Sequence, residues 1–393
     1  MRTLSLPATA NFAASVNVLL LGCSAAATPV YRIYQQTLGL NQTWVTVIFA
    51  SYALTVLAAL LTMGSLSDYV GRRPALALSL ALNLVSLVIF VFANDPWHLV
   101  AARMVQGLGV GVGTTACGAM VLDADKARAG VINSLTNYIG LALGALLSGI
   151  LVTWAPAPTI LVYVVLAIVT LAELALLLVA PETAQKRPGA LRSLVPRLVL
   201  PANVRATFVR VGPISIAGWA IGGLYLSLMP SVIVAATHIP LPIIGALAVT
   251  SLMVAGGITI VLLVHLPPRT ELILSTLAML LGTLVTVGAL YASNVAALFI
   301  GTIIVGVGFG AAFAGGLRSL VPLVSATDRA AVLATYFVEC YIAFGLPAVI
   351  GGVAAQTIGL VATVYWFSAA LVVLALASLV AILLSRDGGA SAA

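Results

Sequence analysis

Two ionisable side chains lie deep inside long apolar stretches of this chain, where a charge is costly. Glu339 is about ten residues into its stretch, near half the depth of a bilayer at a rise of about 1.5 Å per residue. No basic residue lies within a helical turn of it, and charged groups at this depth usually face a partner or a water-filled cavity. Glu339 could therefore take up and release a proton, or it could stay protonated and hydrogen-bonded to a neighbouring helix. Arg103 is similarly deep, whereas Glu173 and Arg318 lie nearer the ends of their stretches and are weaker candidates.

The apolar stretches themselves determine the class of protein. The chain has 393 residues, of which 62% are hydrophobic and 7% charged, and its mean hydropathy is +1.20. A soluble domain is about a quarter charged, and an apolar helix of about 20 residues spans a bilayer. Twelve stretches of this kind nearly exhaust the length, at approximately 10–34, 43–67, 74–94, 97–122, 129–153, 157–180, 207–236, 241–265, 270–292, 294–322, 329–355 and 360–385. We predict an all-α membrane protein with twelve transmembrane helices.

Basic residues predict the orientation in the membrane. If the N-terminus is cytoplasmic, the segments on that side contain Arg2, Arg72, Arg73, Lys126, Arg128, Lys186, Arg187, Arg192, Arg197, Arg205, Arg210, Arg269, Arg329 and Arg386. The opposite side has only Arg32 near its surface. This positive-inside bias predicts that both termini are cytoplasmic. The net charge of +7 therefore reflects topology, and its spread over separate short loops argues against a nucleic-acid partner.

The chain divides once, at its only long polar connection. We predict an N-terminal six-helix half at 1–180, a cytoplasmic linker at 181–206 and a C-terminal six-helix half at 207–393. The glycine pattern of residues 107–111 recurs at 306–310, which indicates that the halves are repeats. Repeated halves are common in transporters, which hold their substrate near the midplane where the halves meet.

Three motifs resemble a known family. Residues 64–74 read G-S-L-S-D-Y-V-G-R-R-P, and this G-x-L-x-D-x-x-G-R-R pattern resembles the loop between helices 2 and 3 of major facilitator superfamily transporters. Residues 103–109 are similar to the R-x-x-Q-G-x-G signature of that superfamily, and residues 181–183 are similar to its P-E-S or P-E-T ending of the first half. Together the motifs most resemble the twelve-helix drug:proton antiporter branch. The resemblance implies the major facilitator fold, with two pseudo-symmetric six-helix halves.

The resemblance also implies a gate at the cytoplasmic ends of the helices, formed by Gly64, Asp68, Gly71, Arg72, Arg73 and Asp123. It places Asp68 against the start of helix 11, where the positive end of the helix dipole would hold a carboxylate. It also pairs Arg72 with Asp123, and breaking the set would favour the inward-open state. Tyr69 replaces the usual basic residue of the motif, and Asp328 in helix 11 is a competing acid. Alternatively, these charges only set topology and fold stability.

For mechanism, the resemblance implies that Arg103 takes part in proton coupling, whereas the proton role of Glu339 is inferred from its depth and from the lack of a basic neighbour. An Arg103 that only braces the bundle by donating to backbone carbonyls is the alternative. Several drug antiporters carry an acid in helix 1 or 2, whereas helix 1 here has Asn17 as its strongly polar interior residue. In a drug antiporter of this sequence, Glu339 would have to replace the missing acid of helix 1 or 2.

Polar and aromatic residues within the stretches are candidates for substrate binding. They are Asn17, Gln106, Asn137, Tyr138, Trp219, Tyr225 and Tyr336. Such groups could hold a mostly apolar ligand with a few polar handles, although each could equally be a packing residue. No pair of basic residues suited to a carboxylate lies at the centre, which favours neutral or cationic substrates.

An enzyme is not expected. The three histidines are scattered, the three cysteines are isolated, and neither a G-x-S-x-G nor a Walker-type motif is present, so we predict no metal and no cofactor. Without a nucleotide site, an ion or substrate gradient must drive transport. The leading hypothesis is a monomeric proton antiporter that exports a small molecule or drug from the bacterial inner membrane, with protons and membrane lipids as its other partners. A proton symporter that imports a sugar, organic acid or amino acid is the alternative.

Overall fold

Twelve long helices form the described part of the molecule. A computed structural model describes residues 4–325 and 328–384. Arg2 and Arg386 of the predicted inner-side set lie outside the described residues, as do the extreme ends of both predicted halves and the side chain of Arg192. Within that part, twelve helices are long and apolar enough to cross a membrane, so the predicted number is confirmed. They are α1 (Leu6–Thr37), α2 (Gln42–Met63), α3 (Arg72–Val91), α4 (Pro96–Ala124), α5 (Ala129–Trp154), α6 (Pro158–Leu177), α7 (Ala202–Ser227), α8 (Pro242–Leu263), α9 (Pro268–Tyr291), α10 (Val295–Leu320), α11 (Arg329–Thr357) and α12 (Leu360–Leu384).

The helices run alternately between two sides, which we call inner and outer. The inner side carries the loop at 64–71 and the linker after α6, and the outer side carries the loops that begin α2, α4 and α10. Asn41, Asp95 and Asn294 start these three helices, and each accepts the backbone N–H three residues later at 2.9 to 3.0 Å. The N–H of His98 holds the pKa of Asp95 below its usual value, because it stabilises the carboxylate.

The seventh predicted stretch, 207–236, is divided in the structure. α7 is followed by a separate helix, Met229–Thr237. Pro230 has no N–H to donate to the carbonyl of Leu226, four residues earlier. That carbonyl instead accepts a hydrogen bond from Thr28 Oγ1 of α1, at 2.7 Å. The carbonyl freed by the interruption of the helix therefore forms a hydrogen bond between the two halves.

The same packing contact occurs in both halves. Ser79 Oγ of α3 donates to the Gly109 carbonyl of α4 at 2.6 Å, and Ser275 Oγ of α9 donates to the Gly308 carbonyl of α10 at 2.7 Å. A Cβ added at Gly109 would lie 3.0 Å from the Ser79 carbonyl, and one at Gly308 would lie 2.9 Å from that of Ser275. The recurring glycines therefore allow each helix pair to pack closely.

The halves meet along an outer seam, which we define as the contacts of α2 with α11, of α5 with α8 and, through Thr28 and Leu226, of α1 with α7. In the first pair, Thr43 Oγ1 donates to the Gly352 carbonyl at 3.3 Å and accepts a hydrogen bond from Gln356. In the second pair, Thr250 Oγ1 donates to the Ala142 carbonyl at 3.3 Å. Hydrogen bonds that join the two halves across the described residues lie at the outer side or at mid-depth. The molecule is therefore closed on its outer side.

Candidate functional site

A cavity of about 600 Å³ lies between the two halves, on the inner side of the outer seam. The N-terminal half contributes a polar wall, formed by Asn17, Ser24, Thr114, Thr115, Asn133 and Asn137. The C-terminal half contributes an aromatic wall, formed by Trp219, Phe309, Phe313, Phe337, Tyr341 and Phe344. Arg103 also lines the cavity, together with Tyr52 and Tyr138. The size and the mixed lining suit a small organic ligand.

The aromatic wall is centred on Trp219 of α7. Its ring lies 5.0 Å from that of Tyr341 and 5.7 Å from that of Phe344, both on α11, and 6.2 Å from that of Phe313 on α10. Gly223, one turn along α7, allows this approach, because a Cβ there would collide with the Phe344 carbonyl. The indole Nε1 has no hydrogen-bond partner among the described residues. The wall is therefore a preformed apolar surface that includes an unpaired indole N–H.

The polar wall is organised around Asn17 of α1. Its side chain is 6% exposed, and its Nδ2 donates to Thr136 Oγ1 at 2.8 Å and to Asn137 Oδ1 at 2.9 Å on α5. Gly140 and Gly144 on α5 allow α1 to pack closely enough for these bonds. Asn17 Oδ1 has no partner among the described residues, so the wall offers an acceptor.

Arg103 is the cationic group of the cavity wall. It is 1% exposed, and it donates to Tyr31 Oη, to the Ser24 carbonyl at 2.8 Å and to Gln106 Oε1 at 2.7 Å. The guanidinium carbon lies 5.0 Å from the centre of the Tyr52 ring and 5.5 Å from that of Tyr31. All of these partners are neutral, so no carboxylate among the described residues balances this charge.

Glu339 lies away from the cavity. α11 presents Leu333, Phe337, Tyr341 and Phe344 to the cavity, at a spacing of three or four residues along one face. Glu339 falls on the opposite face, against α7, where a Cβ added at Gly212 would lie 3.4 Å from its Oε1. That oxygen has no hydrogen-bond partner among the described residues. The acid is therefore unpaired, but it does not contact the space available to a substrate.

The other predicted binding residues divide into two groups. Asn17, Asn137, Tyr138 and Trp219 line the cavity. Tyr225, Tyr336 and Gln106 do not: Tyr225 bonds to Thr302 at 2.9 Å, Tyr336 bonds to Ser215 at 3.0 Å, and Gln106 lies behind Arg103. These three are fully buried, and they hold neighbouring helices or side chains in place.

At the inner ends of the helices, Arg72 lies at the centre of a charged cluster. Its Nε donates to Asp123 Oδ2 at 3.0 Å, and its Nη1 donates to Ser67 Oγ at 2.8 Å and to Asp68. Gly71 begins α3 with φ at 103°, a left-handed conformation that favours glycine. Gly64 directly follows α2, and a Cβ added there would collide with the Leu60 carbonyl.

Two residues of the linker join this cluster, and the sequence interpretation gave them no such role. Glu182 accepts the backbone N–H of Arg72 at 2.8 Å and that of Arg73 at 3.0 Å, which satisfies the free N-terminus of α3. Thr183 donates to Asp123 Oδ2 at 3.0 Å. Both residues belong to the P-E-T motif directly after α6, and this motif is the sequence signal that could have indicated their role.

Asp68 has no hydrogen bond to α11 in the described part of the chain. Its partner is Arg72, and its side chain is 52% exposed. Asp328, at the start of α11, bonds instead to Ser325, at 3.2 Å. In this arrangement, which is closed on the outer side, the two acids do not contact each other, and the predicted latch between α2 and α11 is not engaged.

The C-terminal half has a charge-reversed counterpart of the Arg72 pair. Glu271 in the first turn of α9 is fully buried, and it accepts from Arg318 Nη1 of α10 at 2.8 Å. Arg318 also donates to the Leu266 carbonyl at 2.8 Å. The acid is here on the first helix of the pair and the base on the second, the reverse of α3 and α4. Glu271 was missed because it lies at the edge of an apolar stretch.

Comparisons with known proteins agree with this architecture. A family model described as Major Facilitator Superfamily matches residues 12–287. A protein of Rickettsia felis called "Uncharacterized transporter" is 41% identical over 86 residues, which are 22% of this chain and 20% of that protein. Multidrug resistance protein D of Escherichia coli K12 is 29% identical over 102 residues, which are 26% of each chain. The matched parts therefore span only about a fifth to a quarter of these relatives.

Two solved structures resemble the whole fold. A bacterial homologue of the human lysosomal transporter Spinster, in an inward-facing and unoccupied conformation, has a TM-score of 0.75 at 14% identity, over 96% of this chain and 97% of that one. The nucleoside transporter NupG has a TM-score of 0.72 at 13% identity, over 95% and 99% of the two chains. At this level of identity the likeness shows the fold alone.

Proposed function

This chain belongs to the Major Facilitator Superfamily, and we propose that it exports a small organic molecule in exchange for protons by alternating access. The observation that carries the proposal is the cavity of about 600 Å³ between the halves, which the outer seam closes on one side. The 29% identity to a multidrug resistance protein over 102 residues supports export as the direction.

The residues at the inner and outer ends of the helices support one orientation of the protein in the membrane. Basic residues predominate at the inner side. Trp97, Trp154 and Tyr291 lie near the outer ends of their helices, and each is at least two-thirds exposed. Basic residues favour the cytoplasmic side, and exposed aromatic rings favour a membrane interface. We therefore assign the inner side to the cytoplasm and the protein to the bacterial inner membrane, so that the cavity in this structure faces the cytoplasm.

Glu339 is our candidate for the proton-binding site. It lies near mid-depth, it has no basic partner among the described residues, and it packs beside Gly212 of α7. The next residue, Pro213, has no N–H, so α7 has one backbone hydrogen bond fewer at this point. A neutral Glu339 can remain in this apolar contact, whereas an ionised one is stabilised by reaching water. Protonation would therefore bias the packing of α7 against α11, and with it the side on which the cavity opens.

Proton flux in vesicles tests this proposal. Purified protein is reconstituted into liposomes that contain a pH-sensitive dye, and small aromatic compounds of each charge type are added outside. Antiport moves protons out as a substrate enters and raises the lumen pH, whereas symport lowers it. A transported substrate that leaves the lumen pH unchanged would contradict proton coupling.

The variant Glu339→Gln separates the proton site from the substrate site. We expect it to lose the pH change but to keep exchange of labelled for unlabelled substrate, because the cavity wall is unchanged. Glu173→Gln is the matched control, since Glu173 is also an intramembrane acid but lies near the inner end of α6. Full proton flux in Glu339→Gln would sink the assignment of Glu339.

A further inference from the structure

Arg103 is a buried cation of the cavity wall, and no carboxylate in the described part of the chain neutralises its charge, which favours a negatively charged ligand. We propose that its substrates are flat aromatic compounds with one negative charge, such as aromatic carboxylates, held with the acid towards Arg103 and the ring against the aromatic wall. This inference rests on the proposed transport function and narrows it to a chemical class.

Charge is the first argument. The intramembrane acids of the described chain are all placed elsewhere: Glu271 pairs with Arg318, Glu339 lies against α7, and Glu173 is on α6. The remaining neighbours of Arg103 are a tyrosine hydroxyl, a backbone carbonyl and an amide. An uncompensated cation in a low-dielectric site attracts an anion and repels a second cation. The sequence analysis favoured neutral or cationic substrates because it found no basic pair at the centre, and it assigned Arg103 to proton coupling.

Hydrogen bonding is the second argument. A guanidinium has five N–H groups, and four hydrogen bonds from Arg103 are present, so one N–H remains for a ligand. Asn17 Oδ1 is an unpartnered acceptor in a side chain that is 6% exposed and lines the same cavity. It therefore calls for a donor on the ligand, such as a hydroxyl group.

The two groups lie at different depths along the cavity. Arg103 is bonded to the carbonyl of Ser24, and Asn17 is on the same helix, seven residues earlier. Seven residues of helix correspond to about 10 Å at 1.5 Å per residue. An extended aromatic acid carries its carboxylate and its hydroxyl at opposite ends, so it can address two groups at different depths in a cavity that the aromatic wall also lines.

The membrane potential is consistent with export of such a substrate. The interior of a bacterial cell is negative, so the potential drives an anion outward and a proton inward. Exchange of an aromatic anion for a proton would therefore be driven by both the electrical and the pH gradient.

Calorimetric titration of the purified full-length protein tests the inference. The probes are 4-hydroxycinnamate, its neutral amide and the cation tyramine, at a pH at which the acid is ionised. We expect the acid to bind at least tenfold more tightly than the amide, and tyramine to bind most weakly. In Arg103→Gln the ratio of acid to amide affinity should fall to about one, whereas Arg103→Lys should keep most of it. Each ratio is measured within one variant, so a general loss of stability cancels.

Asn17→Ala is the reciprocal variant. It should reduce the preference for 4-hydroxycinnamate over cinnamate, which lacks the hydroxyl, and leave the ratio of acid to amide unchanged. Four results would overturn the inference. The wild type could bind the acid and the amide equally, bind tyramine more tightly than the acid, or bind none of the probes. The ratio of acid to amide affinity could also be the same in Arg103→Gln as in the wild type. Titration needs no proton gradient, so selective anion binding without proton flux would instead count against the proposed export.

Discussion

At the scale of single residues, the carboxyl of Glu182 secures the linker to the N-terminus of α3. It accepts two backbone N–H groups that the helix cannot satisfy itself. Glu182→Ala should lower the free energy of unfolding by about 1 kcal/mol, the usual cost of a lost cap. Thermal unfolding in detergent measures the effect, and Glu182→Gln should keep part of the stability because its amide oxygen still accepts. A midpoint for Glu182→Ala equal to that of the wild type would contradict this role.

The sequence identified four residues of the cavity wall, but it could not tell which way side chains point. Tyr336 was chosen from α11, whereas Phe337 and Tyr341 line the cavity. In a soluble protein the buried face of a helix is apolar and the opposite face is polar, and this contrast reveals the orientation. A membrane helix is apolar on every face, so the contrast is absent. The charge of Glu339 marks it in the sequence, but the face of α11 on which it lies depends on the position of α7.

At the scale of helices, the outer seam includes a hydrogen bond that a proline makes available. Thr28 Oγ1 donates to the Leu226 carbonyl, which has no donor within its own helix because Pro230 follows it. Thr28→Val would leave this buried carbonyl unsatisfied, at a cost of about 1 to 2 kcal/mol to the state in which the seam is closed. We therefore expect about a tenfold shift towards the state that opens outward.

Spin labels at Lys126→Cys and His265→Cys measure this shift, because these exposed residues lie at the inner ends of opposite halves. Their distance should shorten in Thr28→Val. The native cysteines are buried, so labelling stays selective. Thr37→Val is the control, since the Thr37 hydroxyl bonds to the Ile33 carbonyl within α1 itself. An unchanged distance distribution in Thr28→Val would exclude Thr28 as part of the seam's stability.

The length of the helices could be predicted, but their partners could not. Twelve apolar stretches indicate twelve spans because the thickness of the bilayer sets a minimum length. The interruption of the seventh stretch was signalled by Pro230, yet the use of the freed carbonyl depends on α1, about 200 residues away. Contacts of this kind depend on how the two halves pack against each other, and the hydrophobicity of the sequence does not predict that packing.

At the scale of the whole molecule, the charged cluster at the inner side should matter mainly in the conformation opposite to the one seen here. With the inner side open, the Asp68 carboxylate bonds to Arg72 alone among the described residues and is half-exposed, so water weakens its contribution to stability. When the inner ends close, the carboxylate would meet the positive N-terminus of α11, and the latch predicted from the sequence would form. Asp68→Asn should therefore leave the thermal midpoint nearly unchanged and remove stabilisation from the inner-closed state alone.

The same pair of spin labels tests this latch in vesicles that maintain a pH gradient. The wild type should acquire a population with a short inner distance, and Asp68→Asn should lack most of it. Asp125→Asn is the matched control, because Asp125 is also an inner-side acid paired with an arginine, Arg128, but lies in the next inner loop. A short-distance population in Asp68→Asn equal to that of the wild type would mean that the inner ends close without the carboxylate. Arg72 and Asp123 would then act only in holding α3 against α4.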